Sequence, residues 1–118
     1  MNCSCDQNDT SNLKVEGDVG ADPIWCDLCD HNLDIEEISL SNELKNDLMN
    51  WAATYGEWID WDVDRLIPNG VEMEEEHNKQ GEKLTVKIKE ELKGKYRIRF
   101  SRSTMARSYA NKPISKYK

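Results

Sequence analysis

Four cysteines fall in two close pairs, Cys3-x-Cys5 and Cys26-x-x-Cys29, with His31 two residues past the second pair. Closely spaced thiolates are the ligand pattern of a structural, tetrahedral zinc ion, and the second pair has the spacing of a zinc knuckle. The expected site is therefore Zn2+ held by Cys3, Cys5, Cys26 and Cys29. His31 is a competing ligand, and four reduced thiols without metal are the plain alternative. Disulfide exchange is a poorer fit, because it wants a thiol of lowered pKa at a helix N-terminus, whereas Asp27 and Asp30 flank these thiols with negative charge.

The acidic residues form the second set. DWDVD at 60–64 opens like a calcium loop, but Arg65 stands where that loop needs glycine and Val71 where it needs a bidentate glutamate. The same residues read better as a half-buried strand. Ile59, Trp61 and Val63 alternate with Asp60, Asp62 and Asp64, which puts Trp58 on the aspartate face. An aromatic among acids is the composition of a protein-binding anchor, so Trp58, Asp60, Asp62 and Asp64 are the candidate partner-binding residues. Packing of Trp58 against a helix is the competing reading. Glu74-Glu75-Glu76-His77 contains acid–base groups, yet a charged helix face with one half-buried histidine explains it fully. The sequence shows no nucleophile elbow, phosphate loop, HExxH or GxGxxG, and a non-enzymatic protein is expected.

These residues must be positioned by a small framework, since 118 residues fit one domain. Residues 1–22 are rich in Asn, Asp, Ser and Gly and read as a flexible N-terminal arm. A single α+β domain is expected over 23–100: a Cys knuckle, a helix, a strand, a long helix and a last strand. The first helix follows from Leu44, Leu48, Trp51, Ala52 and Tyr55 on a 3.6-residue period, with Ser41 as N-cap and Gly56 as the stop. The long helix, from about residue 71 to 93, follows from Met73, His77, Gly81, Leu84, Ile88 and Leu92, with Gly94 closing it. Gly81 lies inside that stripe, where a missing side chain lets another element come close. YRIRF at 96–100 alternates as the last strand. With a helix between them the two predicted strands can lie parallel, setting Asp60 and Asp62 on one sheet face with Arg97 and Arg99.

Charge is divided along the chain. Residues 1–92 hold all 23 acids and 7 bases, a balance of −16, and residues 93–118 hold 9 bases and no acid, which leaves −7 overall. The acidic body suits a basic protein partner, met in the manner of an immunity or inhibitor protein. Residues 101–118 read as a flexible basic tail, and Arg97, Arg99, Arg102, Arg107, Lys112 and Lys116 offer the alternative of nucleic-acid binding. No apolar run approaches the roughly 20 residues of a membrane span or a signal peptide's shorter one, so no membrane partner is expected and a cytoplasmic setting is.

The stretch CDLCDHNLDIEEISLSNELKNDLMNWAATYGEWID, residues 26–60, resembles a family of short bacterial and phage proteins of unknown function, some of them from mobile or toxin-associated gene neighbourhoods. The resemblance implies a bacterial or phage origin and no particular chemistry. Because thiolate ligation couples metal binding to folding, a zinc site of the four cysteines requires that chelation lower the melting temperature and that Cys26→Ser copy the effect. A melt unchanged by metal removal would dismiss the zinc.

Overall fold

Leu13 and Val15 flank Lys14, and this short alternation builds the strand on which the sheet is organised. The computed structural model describes residues 11–106. In it β1 (Asn12–Val15) lies between β2 (Ile24–Cys26) and β5 (Arg97–Phe100), antiparallel to the first and parallel to the second. Leu13 sits opposite Cys26 and Ile98, and Val15 opposite Ile24 and Phe100, so these apolar residues share the sheet face that meets the helices. On the other face Lys14 lies between Trp25 and Arg99. Its ammonium pairs with Asp30 at 2.7 Å and Glu16 at 3.4 Å, while Arg99 holds Asp27 at 2.9 Å.

A single turn of 3-10 helix at Ile35–Glu37 leads to α1 (Asn42–Ala53), and α2 (Gly70–Leu92) follows a small hairpin of β3 (Ile59–Asp60) and β4 (Arg65–Leu66). Ser41 caps α1 as the sequence predicts, its hydroxyl accepting from the Leu44 N–H at 3.1 Å, while the same hydroxyl donates to Glu91 of α2 at 2.7 Å. Leu44, Leu48, Trp51 and Ala52 of α1 meet Leu84, Ile88 and Leu92 of α2 in the main core beneath the sheet. The class is the expected α+β.

Three expectations change. Residues 11–22 are not part of an arm, because Asn12–Val15 is the central strand and both Leu13 and Val15 are fully buried. Lys14 and the surrounding Asp, Gly and Ser mask a pattern that is only four residues long. The strand expected through Val63 is instead the β3–β4 hairpin, and Asp60 lies opposite Arg65 rather than beside Arg97 or Arg99. The parallel partner of β5 is β1. Finally, the chain after Phe100 stays docked through residue 106. Ser101 N–H donates to the Val15 carbonyl at 2.8 Å, and Ser103 and Asn78 exchange two hydrogen bonds of 2.8 and 3.0 Å. The buried Glu74 carboxylate accepts from Ser103 Oγ at 2.6 Å and from the Ala106 N–H at 2.9 Å. Residues 1–10 and 107–118, with the rest of the expected arm and tail, lie outside the described residues.

At Gly81 the expected close approach is present: a Cβ there would collide with the Phe100 ring and lie 2.7 Å from Trp51 Cζ2. Gly81→Ala should therefore destabilise the fold by about 1–3 kcal/mol through overpacking, opposite in sign to the gain of about 1 kcal/mol that alanine brings to an exposed helix. Urea denaturation measures the sign. A more stable variant would show that the rings yield at no cost.

Candidate partner-binding site

The run from Glu57 to Glu76 connects α1 to α2 and carries eight acids against one base, Arg65. Its balance of −7 equals the net charge of the whole chain, so the acids and bases of the remaining residues are equal in number. The hairpin is pinned at its base: Ile67 N–H donates to the Trp58 carbonyl and Ile59 N–H to the Gly56 carbonyl, at 2.9 and 3.0 Å. Trp58 and Ile59 are buried with Ala106 in a second apolar cluster, against Tyr55, Leu66, Val71, Met73 and Met105. At Gly70 a Cβ would collide with the Leu66 side chain, so β4 rests directly on the start of α2.

The two tryptophans exchange their expected places. Trp58 is only 1% exposed and cannot serve as a surface anchor, whereas Trp61 is 56% exposed and its neighbour Val63 58%. Strict alternation through residue 63 had put Trp61 inside, but the chain turns after Asp60, and from that point alternation no longer reports burial. Asp60 starts the turn by accepting from the Asp62 N–H at 3.1 Å, the local bond that aspartates offer in turns. Three aspartates in five residues carry that turn signal in the sequence itself. Asp60, Asp62 and Asp64 are all exposed, as expected, around Trp61 and Val63.

Behind the hairpin lies an aromatic enclosure around His77. The imidazole stacks on Trp51 with centroids 4.4 Å apart and meets Trp58 and Tyr55 edge-on at 5.1 and 5.9 Å. Thr54 Oγ1 spends its proton on the Trp51 carbonyl at 2.8 Å, so at 3.2 Å it accepts from His77 Nδ1–H. Nε2 is then the lone-pair nitrogen, and among the described residues neither it nor Trp58 Nε1 has a hydrogen-bond partner. Burial lowers the His77 pKa from its ordinary 6.5 to about 4. The neutral ring packs among aromatics, and with Glu74 and His77 both buried the run Glu74 to His77 is not the solvated face with a half-buried histidine that its composition suggests.

Of the expected zinc ligands, Cys26 is buried at the end of β2 and Cys29 half-buried in the turn after it, while Cys3 and Cys5 lie outside the described residues. Among the described residues no group of three or more His, Cys, Asp or Glu side chains is gathered as a metal site. Of the cations of the nucleic-acid reading, Arg97 and Arg99 share one face of β5. Arg99 is engaged by Asp27 through two contacts of 2.9 and 3.0 Å, Arg97 and Arg102 are exposed, and Arg107, Lys112 and Lys116 lie outside the described residues. No helix among the described residues is long and apolar enough to cross a membrane.

The described residues thus form a two-helix α+β domain with an acidic run joining its helices. The chain belongs to the Serratia CdiI immunity protein-like family, whose model matches residues 11–103. That match begins one residue before β1 and ends at Ser103, covering far more than the 26–60 segment on which the sequence resemblance rested. No curated protein matches the chain.

The buried imidazole gives a pH dependence of definite sign. Between pH 6.5 and about 4 the unfolded chain binds a proton at His77 that the folded chain refuses, so this contribution to stability is intact above pH 6.5 and is lost progressively as the pH falls towards 4. At about 1.4 kcal/mol per tenfold in proton affinity, the loss is at most about 3.5 kcal/mol. Chemical denaturation at pH 7.5 and 4.5 should show a decline that His77→Phe reduces. Equal declines in both proteins would mean that the ring is protonated within the fold.

Proposed function

We propose that this protein is an immunity protein: it neutralises a protein toxin in the cytoplasm by binding it stoichiometrically, without chemistry of its own, and the toxin presents a basic surface. The observation that carries this reading is membership of the Serratia CdiI immunity protein-like family across residues 11–103. The charge layout supports a basic partner, because an acidic face of this density accelerates encounter with a cationic surface and rejects anionic ones. It also disfavours nucleic acid, whose phosphates meet the same repulsion.

Co-expression with candidate protein toxins drawn from the genes flanking its own should identify one whose growth arrest the protein relieves, and that purified pair should elute as a complex of fixed stoichiometry. Association should slow as salt is raised. Growth arrest that persists at full expression, with the two proteins eluting separately, would overturn the proposal.

A further inference from the structure

We infer that the turn of the β3–β4 hairpin is the toxin-contacting element, with Trp61 as its apolar anchor and Asp60, Asp62 and Asp64 as the charged rim that selects a cationic protein surface. The inference rests on the immunity reading and deepens it by naming the face that binds.

Exposure alone does not single out Trp61, since lone apolar side chains on a surface are ordinary. Its support does. A Cβ on Gly56 would stand 3.2 Å from Trp61 Cζ2, so the indole packs along bare glycine backbone, and Gly56 takes a φ of +87°, which favours glycine independently. One side of the ring is held while more than half of the residue faces water. An aromatic held in place before binding loses little freedom on docking, which is what an interface anchor requires. Val63, two residues on, widens the apolar tip.

The charge around the tip specifies the occupant. The connecting run of −7 would repel a second copy of this face, so self-association through it is opposed. A basic protein with an apolar recess meets both features at once: the recess takes the indole, and its cationic rim meets the aspartates.

The toxin whose growth arrest the protein relieves is purified and titrated against the full chain and three variants. The first is Trp61→Ala, the second combines Asp60→Asn, Asp62→Asn and Asp64→Asn, and the third is Val86→Ser on the exposed side of α2. Asparagine keeps the acceptor at Asp60 and tolerates the φ of +55° at Asp64, and the melting temperature of the triple variant reports whether the turn is kept. Trp61→Ala should weaken binding about thirtyfold or more, mostly through faster dissociation. The triple variant should slow association and flatten its salt dependence, and Val86→Ser should bind like the parent. Hydrogen exchange on the unaltered chain should show toxin-dependent protection at residues 59–66, a readout independent of any variant's folding. If the parent binds the toxin while both hairpin variants bind equally well and 59–66 gain no protection, this inference falls and the immunity reading stands. If the parent binds no toxin, both fall. A hairpin-dependent dimer of the free chain would assign the face to a second copy and overturn the inference as well.

Discussion

The contact on which the rest of the fold depends is the one at Gly81, where α1, α2 and β5 meet and α2 contributes no side chain. The Trp51 ring and the Phe100 ring occupy the space that a Cβ would take, with their centroids 6.1 Å apart. Trp51 is fixed further by donating its indole N–H to the His77 carbonyl at 2.8 Å, the carbonyl one helical turn before Gly81. A single spot on α2 thus sets the separation of the helices and the height of the sheet above them. Phe100 transmits this to β1 through its register with Val15.

The same face of α2, read one turn earlier, organises the acidic end. Glu74 and Asn78 capture the backbone leaving β5, and His77 between them fills the gap behind Trp58. Main core and second cluster are therefore not independent. A carboxylate with 3% exposure is costly unless satisfied, and Glu74 is satisfied only when Ser103 and Ala106 are in place. Docking of residues 101–106 closes the cluster that carries the hairpin, so the rigidity of the proposed binding face depends on the segment after β5, about thirty-five residues beyond it on the chain.

Both helices, the Ser41 cap, the stop at Gly94 and the role of Gly81 were legible in the sequence, because 3.6-residue periodicity accumulates over twelve and twenty-three residues. So was β5, from the alternation of YRIRF; β1 was not, since Asn12–Val15 offers two apolar residues in a polar stretch, and only its pairing on both sides makes it central. The hairpin shows a different failure. Period-two alternation in WIDWDVD fits a strand and a turn equally, and what decides is whether Trp58 or Trp61 finds a cavity. His77, Tyr55 and Ala106 supply one for Trp58, and these come from α2, the end of α1 and the far end of the chain. No local pattern contains that information. The acidity of the site, by contrast, was plain, because aspartates stay at the surface in either arrangement.

Placing Trp61 outside has a physical cost, since an indole buries a large apolar area when it packs inside. The hairpin limits the consequences by encircling the indole with like charges. Copies of the chain repel one another at the very point where an apolar tip would otherwise make them adhere, and only a surface of opposite charge can approach closely enough to cover the ring. Charge and apolar area therefore perform separable tasks on one turn: the aspartates govern which surfaces reach contact and how fast, and the tryptophan governs how long contact lasts. Neither group alone would make the face selective. A bare acidic loop attracts any cation, and a bare tryptophan adheres to any apolar patch, but their superposition within four residues of turn restricts the face to surfaces that offer both complements in the same geometry.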